Sequence, residues 1–165
     1  MLVEGLNVFG DSASTHPEAT RLTVLRARDA ALDETAAALI GLDPDAAWLR
    51  VDSVRRVRVT EPPICFTTLH IPKPYAAVVE EIGLSPGPVH ALMERFGLRL
   101  GSVEVDFSAC GVPDAQAGLL EVSPGAPALL ISRRYLDEQG RVFTQSENCH
   151  PAPRFTYRAT LKREV

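Results

Sequence analysis

The chain has 165 residues, 45% of them hydrophobic, and a formal net charge of −4. That is enough apolar material for one domain with a single core, and the acidic balance removes any general attraction for a nucleic-acid backbone. No apolar stretch of about 18 residues occurs, and no charged leader precedes an apolar run, so a cytoplasmic chain with no membrane partner is expected.

Met1 to Glu18 clusters Asp11, Ser12, Ser14, Thr15, His16 and Pro17 as loops do, and reads as a linker remnant before a domain spanning residues 19–165. Arg21 to Arg28 alternates like a strand. Asp33 is placed to cap a short helix that runs to Ile40 and is stopped by Gly41. Trp48 to Thr60 reads as one long strand, with Leu49, Val51, Val57 and Val59 on one face and Arg50, Asp52, Val54, Arg56 and Arg58 on the other. Pro62 and Pro63 turn the chain into Ile64 to Ile71, its antiparallel partner. Pro72 and Pro74 suit the first turn of a helix, predicted over Tyr75 to Ile82 and ended by Gly83.

A second helix is predicted from Pro88 to Phe96, then a strand from Leu98 to Gly111 and a short helix from Pro113 to Leu120. Ala128 to Leu136 is β-branched and apolar, Asp137 to Gly140 supplies turn chemistry, and Arg141 to His150 alternates, which makes a hairpin. Arg154 to Leu161, after a Pro-Ala-Pro break, would add a third strand to this meander. Strands joined mainly by hairpins imply an α+β domain, an antiparallel β-sheet with helices packed on one face.

Cys65, Cys110 and Cys149 form no close pair and fit small buried residues in a reducing compartment. LNVFGDSAS, Leu6 to Ser14, resembles the first block of GDSL-type hydrolases. The blocks that supply the histidine and an oxyanion donor in that family do not occur, which leaves Asp11 and Ser12 as a loop or helix cap. His16, His70, His90 and His150 lack metal-ligand spacing, so no metal, cofactor or catalytic residue is expected, although His70 and His150 could meet across a sheet. Arg56 and Arg58, two apart on one strand, would share a face; if helices cover it, an anionic ligand is an economical partner for both guanidinium groups.

RRVRVTEPPICFTTLHIP (Arg55 to Pro72), SPGAPALLISRRYLDEQGRVFTQS (Ser123 to Ser146) and the closing RFTYRATLKRE together resemble the UTRA effector-binding domain of GntR-type transcriptional regulators, HutC/FarR subfamily. The resemblance implies a chorismate-lyase-like fold, a small acidic metabolite as ligand, and a homodimer. It implies that DNA is contacted only through a winged helix-turn-helix domain that this chain lacks. Arg56 and Arg58 match the family's ligand-binding arginines. Thr67 and Thr144 stand where sugar-phosphate sensors carry glutamates, His150 where they carry a tyrosine, and Gly10 and Gly87 where they carry phosphate-holding serines. The exchange of two carboxylates for threonines argues against a polyhydroxyl ligand. A chorismate-lyase-like enzyme and a dimerisation module without ligand are the alternatives such a fold leaves open.

Overall fold

The structure, a computed structural model, describes residues 20–82 and 88–157. Six strands, β1 (Arg21–Asp29), β2 (Trp48–Arg56), β3 (Cys65–Pro72), β4 (Leu100–Gly111), β5 (Pro127–Asp137) and β6 (Val142–Pro151), form one sheet in the order β1-β2-β3-β6-β5-β4. Every neighbouring pair is antiparallel. The β3–β6 pairing therefore joins a β1-β2-β3 half to a β6-β5-β4 half. Three helices, α1 (Glu34–Ile40), α2 (Pro88–Phe96) and α3 (Asp114–Leu120), and two 3-10 segments, Lys73–Glu81 and Ala152–Arg154, complete the described elements.

Local chemistry explains most boundaries. The Asp33 carboxylate accepts from the Ala36 amide at 2.8 Å, and Gly41 ends α1 at a φ of 71°. In the β5–β6 turn, Asp137 Oδ1 accepts from the Gln139 and Arg141 amides at 2.9 and 2.8 Å, while Gly140 takes a φ of 75°. These amide bonds, led by that of Arg141, hold the Asp137 carboxyl below its usual range.

Pleating divides the sheet side chains between two faces. On one face Leu22, Val51, Leu69, Ile71 and Tyr135 pack against Val78 and Ile82 of the 3-10 segment and Leu92 of α2. On the other, Val54, Phe66, Ala128 and Cys149 pack against Ala117 and Leu120 of α3, and Trp48 packs against Ala37 and Leu42. The α+β antiparallel class is the expected one, but helices lie on both faces, because β2 carries core side chains at both parities, Val51 on one side and Trp48 and Val54 on the other.

Three elements differ from expectation. Residues 73–81 form a 3-10 segment kinked at Tyr75, after Pro72 and Pro74 remove two amide donors from its start. β2 stops at Arg56, where the Ile64 amide donates to Arg55 O at 2.7 Å and closes the loop that precedes β3; residues 57–60 are turn. Residues 154–157 add no strand. The Arg154 guanidinium instead donates to Pro63 O (2.8 Å), Leu120 O and Glu121 O (3.2 Å), fastening the chain to the β2–β3 loop and the C-terminal end of α3. The expected N-terminal loop with its Gly-Asp-Ser motif, the Gly83 helix stop and the stretch from Arg158 to Leu161 lie outside the described residues.

Candidate functional site

The face that carries Val51 and Leu69 changes character along the strands. Toward Leu49 and Ile71 it is apolar and covered by the 3-10 segment and α2. Toward the other end the same parity brings Ser53 and Arg55 of β2, Cys65 and Thr67 of β3, Ser146, Asn148 and His150 of β6, and Arg133 of β5. Ser53, Arg55, Thr67, Ser146, Asn148 and His150 are all buried, Arg55 with 6% and Asn148 with 3% exposure. Half of one sheet face is thus a buried polar floor.

Register fixes its layout. Ser53 lies opposite Thr67, Thr67 opposite Asn148, and Asn148 opposite Ile131. One row toward the covered end, Leu69 lies opposite Ser146 and Ser146 opposite Arg133. Thr67 Oγ1 donates to Asn148 Oδ1 at 2.8 Å, and Asn148 Nδ2 reaches Ile131 O and Ser146 Oγ, each at 3.5 Å. The Thr67 bond fixes the amide of Asn148 and, among the described residues, leaves its NH2 group with two long contacts. Arg55 Nη1 donates to Thr20 Oγ1 at 2.7 Å, and the His150 ring stacks on Phe155 with centroids 4.0 Å apart. None of the strand positions on this floor is Asp or Glu.

The sequence-expected residues divide. Thr67 and His150 belong to the polar floor. Thr144 lies on the same face but at the covered end, fully buried, its hydroxyl donating to His70 O at 2.7 Å. Arg56 has the opposite parity, its Nε donating to Glu61 O at 3.2 Å, and Arg58 stands in the turn, exposed, with Nη1 3.7 Å from the Glu61 carboxylate. The expectation that these two arginines share a strand face is therefore corrected, because the strand ends between them. Gly10 and Gly87 lie outside the described residues. Arg55, Asn148, Ser146 and Arg133 were not foreseen. Arg55 is accessible to sequence reasoning, since it has the parity of Leu49 and Val51, the apolar face of that strand.

The opposite face is polar in a different way. Asp52 accepts from Arg28 at 3.1 Å and Arg50 at 2.8 Å, and His70 Nδ1 lies 2.8 Å from Gln145 Oε1. His70 and His150 thus occupy opposite faces and do not meet. Burial lowers the His70 pKa and raises that of Glu147. Burial, with Cys110 and Cys65 nearby, pushes the Cys149 thiol up to about 12, far from the range of a thiolate nucleophile. Among the described residues no group of three or more His, Cys, Asp or Glu side chains could hold a metal ion.

The fold is shared with known proteins. The sequence profile of the UTRA domain matches residues 17–156. The chain belongs to the UTRA domain family. Solved structures agree in fold: the ligand-binding domain of a putative GntR-family transcriptional regulator from Bordetella bronchiseptica superposes with a TM-score of 0.71 at 19% identity, covering 87% of this chain and 90% of that one. The effector domain of PhnF from Mycobacterium smegmatis gives 0.71 at 19%, with 88% of each chain covered. The possible transcriptional regulator YydK from Bacillus subtilis gives 0.68 at 18%, with 86% of this chain but 62% of YydK covered, so the chain spans less than two thirds of that regulator. The chain is thus a UTRA domain, and the solved structures that share its fold include ligand-binding and effector domains of transcriptional regulators. No helix of the described residues is long and apolar enough to cross a membrane.

Proposed function

We propose that this UTRA domain is the sensor of a cytoplasmic GntR-type regulator, and that a small organic acid docks on the polar floor with its carboxylate on Arg55. One observation carries the reading: a buried guanidinium stands among buried hydroxyl, amide and imidazole groups, on the same face whose other half is apolar core. Folding alone favours apolar side chains there, since burying polar groups costs free energy that their mutual hydrogen bonds only partly return. A floor rich in donors and free of strand carboxylates suits an acceptor-rich anion. Thr67 and Asn148 set the amide that reads the ligand beside Arg55, and His150 closes the end near Phe155. Thr144 supports the floor from beneath the helical cover. Arg56 and Arg58, on the opposite face and in the turn, act on the loop before β3 rather than on the ligand. Ligand binding would favour one arrangement of two paired subunits, and a separate DNA-binding domain would read the difference, by no more than the ligand's differential affinity for the two arrangements.

A thermal-shift screen of the purified chain against small organic acids tests this. A cognate acid at 100 times its Kd raises Tm by roughly 5–10 °C. Arg55→Ala abolishes that shift, and Arg58→Ala leaves it intact. An acid-induced shift that survives Arg55→Ala would remove Arg55 from the site.

A further inference from the structure

Helix α3 does not complete its own C-terminal end. Its seven residues carry no basic side chain in the last turn, and its cap is Glu121 at a φ of 56°, the left-handed conformation that glycine usually supplies. Among the described residues Glu121 is the only non-glycine with a positive φ. The Glu121 and Val122 amides donate to Gly118 O and Ala117 O at 3.3 and 3.0 Å, and the carbonyls of Leu120 and Glu121 lie past the reach of any helical amide. Arg154, 34 and 33 residues further on, donates to both, and the same guanidinium donates to Pro63 O at 2.8 Å. One side chain from beyond β6 thus finishes α3 and ties it to the loop before β3.

The residue after this clamp belongs to the other face of the sheet. Phe155 is extended, with φ −145° and ψ 137°, which sends its side chain to the side opposite that of Arg154. Its ring stacks on His150 of the polar floor, centroids 4.0 Å apart and planes at 30°. Two residues on, Tyr157 packs against Phe107 of β4 with centroids 4.6 Å apart, in the row of Ile131 and Asn148. Residues 155–157 therefore cross the floor face from β6 to β4, while Arg154 reaches α3, which packs on the opposite face. Pro151 and Pro153 fix φ on either side of Ala152, so the segment has few soft torsions in which to absorb a displacement. We propose that residues 152–157 are a strap that couples the polar floor to α3: while Phe155 sits on His150, Arg154 is held on the Leu120 and Glu121 carbonyls, and unseating Phe155 loosens the last turn of α3. Glu121 gives that turn two arrangements, the left-handed cap present with the clamp in place and the ordinary negative-φ backbone open to it once the clamp leaves. Leu119, 43% exposed on α3, carries the change to the outer surface.

Amide exchange followed by NMR on the whole chain tests the strap, with α1 as an internal control. Gly41 closes α1 with the same pair of cap bonds, its own amide directed at Ala38 O and that of Leu42 at Ala37 O, and its carbonyls are not among the acceptors of Arg154. Phe155→Ala is expected to speed exchange at Glu121 and Val122 by at least about fivefold and to leave Gly41 and Leu42 within about twofold of the parent. Phe155→Tyr, which keeps the ring, retains the parent rates. Coupling is reciprocal, so Arg154→Gln should move the His150 ring-proton shifts toward those of Phe155→Ala, as the ring current of the stacked phenyl is lost in both. Arg154→Lys, which keeps the charge, gives a smaller shift and serves where the glutamine variant folds poorly. An α3 cap that exchanges at the parent rate in Phe155→Ala, or an α1 cap that speeds up by the same factor, would reduce the strap to a local contact and overturn the coupling. His150 shifts unmoved by either Arg154 variant would overturn it from the other side. No acid enters either measurement, so failure here leaves the sensor reading standing, and an acid screen without a hit leaves the strap standing.

Discussion

At Arg55 the consequence of one residue's parity is plain. Reading the strand past Arg56 to Thr60 assigns Arg56 and Arg58 to a shared face, and the alternation that supports it, Leu49, Val51, Val57 and Val59, looks continuous in sequence. The Ile64 amide bond to Arg55 O closes the loop earlier, and only a tertiary bond of that kind marks where the strand stops. Thr67 and His150, which the family resemblance names, lie on the polar floor, though their alternation in sequence does not single them out. Asn148 and Ser146 sit in a strand whose two faces are both buried, and there polar alternation carries no signal of its own. Two titrating groups on the opposite face, buried His70 and half-buried Glu147, give a pH test at this scale. His70, its pKa lowered by burial, stays neutral in the folded chain while the unfolded chain protonates near 6.5; its contribution is full above 6.5 and is lost as pH falls from there. Glu147 runs the other way: burial raises its folded pKa above 4.5, so the cost of its charge is present at neutral pH and is relieved as pH falls through that raised value. Glu147→Gln should therefore raise the urea midpoint at pH 7, and its advantage over the parent should shrink steadily toward pH 4.5. A constant difference across that range would show that the Glu147 carboxyl titrates as an exposed one.

Among the elements, those set by local chemistry were legible and those set by tertiary bonds were not. Asp33, Gly41 and the Asp137 to Gly140 turn place α1 and the β5–β6 hairpin where the sequence predicts them. The 3-10 form of residues 73–81 and the irregular course of residues 155–157 depend on Pro72, Pro74 and the Arg154 clamp, whose acceptors lie 91, 34 and 33 residues away in sequence. The placement of α1 and α3 opposite the 3-10 segment likewise follows from packing, since short helices of this length carry too few apolar positions to announce a face. One element boundary has a sharp steric basis. A Cβ added at Gly101, near the start of β4, would lie 2.5 Å from Asp137 O and 2.8 Å from its carbonyl carbon, both backbone atoms of β5. Neither can swing aside, and the register shift between Leu100 and Ser102 is built around this approach. Gly101→Ala should cost about 1–3 kcal/mol in urea denaturation. Gly118→Ala, where an added Cβ meets nothing within 4 Å, should be neutral or slightly stabilising. Equal effects at the two positions would mean that β4 shifts freely at its start.

For the molecule as a whole, the informative feature is that one continuous sheet face is half oil and half polar floor. Both halves are buried to a similar degree, so solvent does not explain the difference. Buried polar groups contribute little net stability even when bonded, and removing one partner of a buried pair leaves the other to carry its full desolvation cost. The Thr67–Asn148 pair at 2.8 Å isolates this point, because an apolar version of both side chains has nearly the same volume. Asn148→Leu alone leaves the Thr67 hydroxyl only its 3.7 Å contact with Cys65 Sγ and should cost about 1–3 kcal/mol. Thr67→Val with Asn148→Leu removes both partners, and the double variant should return to within about 1 kcal/mol of the parent, a coupling that a double-mutant cycle in urea reads directly. On the reading proposed above, the double variant should at the same time lose any acid-induced rise in Tm, because the Asn148 amide proposed to read the ligand is gone while the fold is intact. Recovered stability with lost response is the signature of polar groups kept for binding. A double variant as unstable as the sum of the two single changes would instead make the Thr67–Asn148 pair part of what holds β3 to β6.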